Sequence, residues 1–305
     1  MNVSFYSPRK VYAAWRKDEK ARALSSSGGL ASVISENWVK KGGVVYGAAF
    51  VKPFDFRHIR CSSIEELAML RGSKYVQSSV KGIVSLIKDD LKNGRRVLFT
   101  GTPCQVASMK ACFGESIRTI EVICHGTPKQ ETLLSSIPKD VLKMDFDRVS
   151  FRCNNDYKTS FKQGSKVVWE RPLSQDLYMK GFFKALFYRD CCYSCSFAKV
   201  ERVSDVSLGD FWGVNLNAIN ASIEKGCSLV LVNNDNGEEL FNLVKNDVEF
   251  TPRPLAEAVA GNQPLQHPVR FGWRQRLFKK LYPIWGFKWA CIFCMPDVVL
   301  KNLFK

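Results

Sequence analysis

The stretch Arg95–Ile137, RRVLFTGTPCQVASMKACFGESIRTIEVICHGTPKQETLLSSI, decides the fold of this chain. It predicts a strand at VLFT, a helix from Pro103, a second strand at IEVIC and a second helix from Pro128, because proline is well tolerated at the first position of a helix. Both strands are short, apolar and not alternating, which is typical of parallel strands covered on both faces. We therefore expect an α/β fold with a mixed, largely parallel sheet and helices on both faces.

A cysteine lies just beyond each of these strands or at its end. Cys104 lies in the first turn of its helix, where the helix dipole and free N–H groups favour the thiolate, and Cys124 ends the neighbouring strand. Ligands of open α/β sheets bind beyond the carboxyl ends of the strands, so both thiols are expected at one edge of the sheet. They are candidates for a shared site, and the alternative is that both are small buried residues in tight turns.

A third cysteine motif, CCYSC at 191–195, contains Cys192 and Cys195 in the CxxC spacing of a two-ligand metal clip. A tetrahedral zinc ion or an iron–sulfur cluster needs about four ligands, so Cys104 and Cys124 are the obvious donors of the other two. A redox-active dithiol, or a zinc site completed by His125 or another cysteine, remains an alternative.

The composition indicates a globular protein that keeps its cysteines reduced. The chain has 305 residues, 46% of them apolar, which is enough for one large domain or two modest ones. Residues 1–20 contain no apolar leader segment, so we expect a cytoplasmic protein, whose eleven cysteines are free thiols, metal ligands or nucleophiles rather than disulfides. The net charge of +16 predicts an acidic partner without choosing its class.

Two further segments have the residue types of an anion or nucleotide site. Ser25–Gly29 open a predicted helix that stops at Gly42 and Gly43, and such an opening presents free N–H groups and hydroxyls to a phosphate. A serine cap with glycines that ease the turn is the alternative. The loop Gly72–Tyr75 precedes a helix predicted from about Ser79; it suits a flavin or nucleotide, and an exposed basic turn fits it equally well.

The C-terminal part predicts more sheet and then a separate tail. Residues 226–250 read as a strand, an Asn-Asp-Asn-Gly turn, an amphipathic helix and a strand, which would complete a domain of residues 1–250. Four prolines in 251–270 predict a linker to a small helical tail that is basic and aromatic, so residues 251–305 form the second unit. The pair Cys291 and Cys294 in this tail is interpreted as packing. A peripheral contact with the inner face of the membrane through the tail is left open.

Six motifs, in order, resemble those of the coenzyme F420 hydrogenase/dehydrogenase beta-subunit family, iron–sulfur flavoproteins with homologues in bacterial polysaccharide gene clusters. The resemblance covers roughly Ser25 to Val214. The motifs are Ser26-Ser27-Gly28-Gly29, Gly72-Ser73-Lys74-Tyr75, Gly101-Thr102-Pro103-Cys104-Gln105, Cys124-His125-Gly126, Cys192-x-x-Cys195 and Ser204-Asp205-Val206-Ser207-Leu208-Gly209-Asp210-Phe211-Trp212-Gly213.

The resemblance implies the cofactors and the residues that bind them. A 4Fe-4S cluster would be held by Cys104, Cys124, Cys192 and Cys195, beside an FAD. His125 is a candidate proton donor, and a histidine that satisfies turn carbonyls is an equal alternative. The family's N-terminal part would span about 20–110 and its C-terminal part about 110–250. The implied flavin contacts are Ser26, Ser27, Gly28, Gly29, Gly72, Ser73, Lys74, Tyr75 and Thr102.

One departure from the family bears on partners. Many members carry a ferredoxin-like segment before the serine–glycine motif, whereas this chain has no cysteine before Cys61. A separate ferredoxin or electron-donor subunit is therefore expected, and the positive charge suits an acidic one. The predicted function is an oxidoreductase for a small-molecule or sugar-linked substrate, with use of coenzyme F420 left open. A zinc-structured adapter is the alternative, and a nucleic-acid-binding protein is disfavoured because the basic residues are dispersed.

Overall fold

The computed structural model describes residues 4–153, 156–219 and 225–297. Its strands are β1 (Lys10–Arg16), β2 (Val44–Val51), β3 (Asp55–Cys61), β4 (Val97–Gly101), β5 (Ile117–Val122), β6 (Arg148–Cys153), β7 (Asp156–Gln163), β8 (Lys166–Pro172), β9 (Val206–Asp210), β10 (Ser228–Val232) and β11 (Val248–Pro252). Its helices are α1 (Glu19–Ala23), α2 (Leu30–Lys40), α3 (Ile83–Lys92), α4 (Pro103–Phe113), α5 (Gln130–Leu134), α6 (Leu177–Phe183), α7 (Asp235–Asn242), α8 (Leu255–Gly261) and α9 (Trp273–Cys294).

The main sheet has eight strands in the order β11-β1-β10-β9-β5-β4-β2-β3. The four central strands, β9, β5, β4 and β2, run parallel to one another, with Val97 opposite Ile117 and Gly101 opposite Glu121. The outer pairings are antiparallel, and β6, β7 and β8 form a separate antiparallel sheet. The prediction of an α/β fold with a mixed, largely parallel sheet is confirmed, with the parallel strands at the centre of the sheet.

Helices cover both faces of the sheet, as predicted. Leu98 of β4 packs in one apolar cluster with residues of α2, including Leu30 and Ile34. Its neighbours Val97 and Phe99 pack in another cluster with residues of α3 and α4. Because successive side chains of a strand point to opposite faces, these two clusters lie on opposite sides of the sheet.

The two Gly-Thr-Pro turns differ in structure. Helix α4 begins at Pro103, as predicted, but α5 begins at Gln130 and not at Pro128. The carbonyl of Pro128 accepts a hydrogen bond from the N–H of Gln77 at 2.9 Å, and the preceding carbonyl of Thr127 accepts from Arg189 at 3.1 Å. The second turn is therefore a loop that holds two other segments, and the prediction of a helix from Pro128 was wrong.

Two other predicted boundaries are corrected. Helix α3 begins at Ile83 rather than about Ser79, because Gly82 precedes it with a φ of 82° while Ser79 forms a bridge to β3. The predicted Asn-Asp-Asn-Gly turn is the start of α7. Asn234 caps that helix by accepting a hydrogen bond from the N–H of Gly237 at 2.9 Å.

The segment predicted as a linker is folded. Residues 251–270 contain α8, and Ala258 and Leu265 are buried against β1 and β10. Helix α9 follows and packs on the second sheet and α6, where Cys291 and Cys294 are wholly buried, as the interpretation of this pair as packing predicts. In the described ranges, no helix has both the length and the apolar character needed to cross a membrane.

Gly28 marks a close approach between the loop before α2 and the main sheet. A Cβ at this position would lie 2.4 Å from the carbonyl oxygen of Ala14 and 2.8 Å from the nitrogen of Ser228. We expect Gly28→Ala to lower the free energy of unfolding by about 1–3 kcal/mol, because the backbone has to shift. Urea denaturation measures this. The control Gly272→Ala, whose Cβ would meet only the end of Gln275 at 3.3 Å, should change it less, and equal losses would contradict the prediction.

Candidate functional site

A cavity of about 650 Å³ lies at the carboxyl edge of the parallel strands. Its lining includes Gly101, Val122 and Asp210, the last residues of β4, β5 and β9. This is the edge at which open α/β sheets bind ligands. Among the predicted flavin contacts, eight of the nine line the cavity; Gly28 lies behind them against the sheet.

The two sequence segments predicted to contact a flavin meet in this wall. The backbone N–H of Ser73 donates a hydrogen bond to Oγ of Ser26 at 2.8 Å. Ser27 is held by the sheet, since its hydroxyl donates to the carbonyl of Cys227 at 3.0 Å. The serine-rich loop therefore fixes the position of the Gly72–Tyr75 loop.

Lys74 is turned toward its own loop. Its ammonium donates hydrogen bonds to the carbonyls of Met69, Leu70 and Arg71 at 3.3, 2.8 and 2.9 Å. Burial lowers the pKa of Lys74 to about 7, so an anion bound in the cavity would favour its charged form. Lys74 thus fixes this loop, and its contact with a phosphate stays a prediction.

Aromatic rings form part of the cavity wall. The ring of Tyr75 lies 4.8 Å from that of Phe182 and 6.2 Å from that of Tyr157, between ring centroids. The hydroxyl of the buried Tyr178 donates to the carbonyl of Tyr75 at 2.8 Å and holds it in place. Such a wall suits a ligand with a flat ring.

An ion pair that the sequence motifs did not reveal joins the second sheet to this cavity. Arg152 of β6 donates to a carboxylate oxygen of Asp210 at 2.5 Å, and its guanidinium lies 4.7 Å from the ring centre of Tyr157. Asp210 and Tyr157 both line the cavity. The second sheet therefore contributes Tyr157 to the cavity lining and a basic partner to Asp210.

A smaller cavity of about 230 Å³ adjoins the large one. The structure brings the four predicted metal ligands, Cys104, Cys124, Cys192 and Cys195, together in its lining, with Cys191 beside them. Residues that line both cavities form their common wall. They are Thr102, Cys104, Cys124, His125, Gly126, Thr127, Arg189 and Gln263.

The first turn of α4 holds Cys104 at this wall. Gln105 accepts a hydrogen bond from the N–H of Thr102 at 3.0 Å, and its own amide donates to the carbonyl of Ser78 at 2.9 Å. The hydroxyl of Thr102 lies 3.2 Å from Sγ of Cys104. Thr102 therefore orients the cysteine while it lines both cavities.

The sulfur of Cys124 is buried close to those of the other three cysteines. Burial raises the pKa of Cys124 to about 12, and the nearby sulfurs of the other three cysteines contribute to the rise. Backbone N–H groups oppose this: Gly126 donates to Cys124, and Thr127 donates to Cys192. Such N–H contacts to sulfur also stabilise and tune iron–sulfur clusters.

The kind of metal centre that these cysteines would hold stays a prediction. In the part of the chain that the structure describes, no three His, Cys, Asp or Glu side chains are arranged to hold a metal ion. Four cysteines in one lining match the number of ligands that a four-iron cluster takes, and that cluster stays a prediction.

His125 lies in the common wall, between the two cavities. Burial lowers its pKa, and the carboxylate of Asp210 opposes that shift. A neutral imidazole carries one donor and one acceptor nitrogen. His125 is therefore placed to exchange a hydrogen bond with a ligand in the large cavity, as expected of the predicted proton donor, whose role stays a prediction.

Two family models match consecutive parts of this chain. Residues 11–85 match the family model for the N-terminal part of the coenzyme F420 hydrogenase/dehydrogenase beta subunit, and residues 94–257 match the model for its C-terminal part. The chain belongs to this family. The boundary between the two family models lies between residues 85 and 94. The sequence had predicted the boundary between the two parts of the family at about residue 110. The family is one of hydrogenase and dehydrogenase subunits, so the chain is an oxidoreductase of the beta-subunit type.

One solved structure extends this result to the fold. A chain of the F420-reducing NiFe hydrogenase complex from Methanosarcina barkeri, studied by xenon derivatization, matches with a TM-score of 0.56 at 16% identity. The match covers 86% of this chain and 93% of that one, so the likeness in fold extends over nearly the whole of both chains. A search of curated proteins gives no match.

Proposed function

We propose that this beta-subunit family member is an iron–sulfur flavoprotein that passes electrons between a 4Fe-4S cluster and FAD and acts on a small molecule. The observation that supports it is the common wall of the two cavities, which would put a group held by the four cysteines next to one in the large cavity. A sugar-linked intermediate of surface polysaccharide synthesis is the proposed substrate class, and coenzyme F420 is the alternative that the hydrogenase relative suggests.

The residues present fit both groups. Cys104, Cys124, Cys192 and Cys195 would hold the cluster, and the Ser26–Gly29 and Gly72–Tyr75 loops with Thr102 would hold the flavin. When bound, the flavin supplies hydride exchange with the substrate and the cluster supplies single-electron exchange with a partner.

The chain itself supplies orientation and a proton route. Tyr75 and Tyr157 offer ring faces to a flat ligand, and the Arg152–Asp210 pair offers it a polar contact at one end. His125 can hold or release a proton at an imidazole nitrogen in the common wall.

The electron partner is proposed to be a separate protein, an acidic ferredoxin or a donor subunit. Two residues that line the small cavity, Cys104 and Cys191, are exposed, so the cavity opens at the surface of the chain. A net charge of +16 would speed the approach of an acidic protein to this opening.

The proposed location is the cytoplasm, where thiols are kept reduced.

The test is the composition of the protein purified without oxygen. Iron, sulfide, zinc and flavin are measured on one sample with its absorption spectrum. We expect about four irons, about four sulfides and one flavin per chain. A colourless protein with zinc and no flavin would overturn the proposal and favour an adapter structured by zinc.

Lys74→Met tests the flavin part separately. We expect the variant to bind FAD at least about tenfold more weakly, because hydrogen bonds of a charged group contribute about 1.5–3 kcal/mol and Lys74 holds the loop that lines the cavity. Fluorescence titration of flavin-depleted protein measures the affinity. The exposed Lys81, replaced in the same way, should bind as the wild type does. Equal affinities for both variants would contradict the assignment of this loop.

A further inference from the structure

Helix α9 presents an unusual number of large apolar side chains to solvent. Phe287, Ala290, Cys291 and Cys294 face inward and are buried. On the other side, Ile284, Trp285, Trp289 and Phe293 are 74, 48, 55 and 49% exposed. We call these four residues the aromatic face. Neither proposed cofactor cavity includes any of them in its lining.

Rings of the aromatic face that are apart in the sequence adjoin one another in the structure. The rings of Trp285 and Phe293 lie 4.9 Å apart between centroids, although Gly286 interrupts the helical backbone between them. Trp289 lies one helical turn before Phe293, so the two share a side of the helix. Soluble domains rarely expose several large apolar side chains together, and such a patch usually marks a binding surface.

The sequence that contains the aromatic face is rich in basic residues. Between Arg270 and Asp297 the sequence has six basic residues and one acid, Asp297 itself. That acid is engaged by Lys184 at 2.8 Å and by Arg274 at 3.4 Å. Lys280 and Lys288 are exposed, and in the described residues neither has an acidic partner within 4.0 Å. Both ammonium groups therefore remain available to an external anion.

The residue types of the aromatic face and of the sequence around it indicate what this surface binds. Tryptophan prefers the headgroup level of a membrane, where its ring is apolar and its N–H is solvated, and lysine is attracted to anionic lipid. Protein interfaces are enriched in tryptophan too, but they are depleted in lysine. We propose that the aromatic face docks this chain on an anionic lipid surface, with Trp285 and Trp289 among the headgroups and Lys280 and Lys288 on the phosphates.

Docking of this kind is peripheral. The helix lies on the membrane and does not span it, in agreement with the absence of a spanning helix in residues 4–153, 156–219 and 225–297. The inference stands apart from the proposed function, because no residue of the aromatic face lines either cavity.

Cosedimentation of the full chain with vesicles tests the proposal. One set of vesicles is pure phosphatidylcholine and the other contains phosphatidylglycerol as well. We expect the wild type to bind the anionic vesicles, and Trp285→Ser/Trp289→Ser to bind them at least about tenfold more weakly, which corresponds to about 1.4 kcal/mol. The matched control is Leu86→Ser on α3, which removes an apolar side chain that is 44% exposed elsewhere, and should bind as the wild type does.

A second variant and a second measurement make the result decisive. Lys280→Glu/Lys288→Glu should lose binding to anionic vesicles at low salt while its circular dichroism and cofactor content stay unchanged. Equal binding by the wild type and the tryptophan variant would overturn the proposal. So would a wild-type dimer that the tryptophan variant dissociates in light scattering, because the occupant would then be a second copy of the chain.

Discussion

Replacing Cys104 by serine is expected to remove the iron from protein purified without oxygen. Cys104 lines both cavities, and its sulfur lies near those of Cys124, Cys192 and Cys195. A serine hydroxyl does not ionise near neutral pH, so three thiolates would be left to hold a group that takes four. Cys195→Ser should lose iron for the same reason. Iron and sulfide assays on both variants measure the loss.

Two cysteine controls distinguish a ligand from a cysteine that is merely present. Cys112 is exposed on the same helix α4 and lines neither cavity, so Cys112→Ser should keep its iron. Cys291 is buried in the core under α9, and Cys291→Ser should keep iron while it loses some stability. Full iron in both Cys104→Ser and Cys195→Ser would refute the cysteine site.

Among the substitutions expected to reduce stability, Asp205→Ala should lower the free energy of unfolding the most. The Asp205 side chain is wholly buried, and one carboxylate oxygen accepts hydrogen bonds from the N–H of Thr119 at 2.7 Å and from its hydroxyl at 2.8 Å. The other accepts from Lys110 at 3.0 Å and from Asn234 at 2.9 Å. Removing the carboxylate leaves the buried ammonium of Lys110 without its inner partner, which costs about 3–5 kcal/mol of the free energy of unfolding.

Asp235→Ala is the matched control for that loss. Asp235 also pairs with a basic residue, Arg9, but its side chain is 89% exposed, and exposed pairs contribute about 0–1 kcal/mol. Urea denaturation of both variants gives the difference. Similar losses for the two would mean that the network around Asp205 contributes no more than a surface pair.

The sequence predicted the centre of the fold because its signals there are local. Proline at the start of α4, short apolar strands and the rule for carboxyl ends of parallel strands were enough to place Cys104 and Cys124 at one edge. That rule needs no knowledge of distant residues.

The Ser204–Asp205 motif proved to be structural. Like the aspartate, the serine holds the backbone, since its hydroxyl donates a hydrogen bond to the carbonyl of Val206 at 2.8 Å.

The rest depended on contacts between segments far apart in the chain. Tyr157 lines the cavity, and Arg152 pairs with Asp210 of its lining, because the second sheet packs there. The sequence of β6 and β7 carries no motif that indicates this. An arginine between two apolar residues, Phe151 and Cys153, was the one available signal. Likewise, the start of α5 was missed because Gln77, from another loop, bonds the carbonyl of Pro128.

The position of β1 means that the two parts of the family are not separable folding units. This strand belongs to the N-terminal match, yet it lies between β10 and β11 of the C-terminal match and pairs with both. Cutting the chain between residues 85 and 94 would also place β2 and its parallel partner β4 on different fragments. Each fragment would then expose unpaired strand edges, which invite aggregation. Only co-expressed fragments that reassemble, or the intact chain, can be expected to remain in solution.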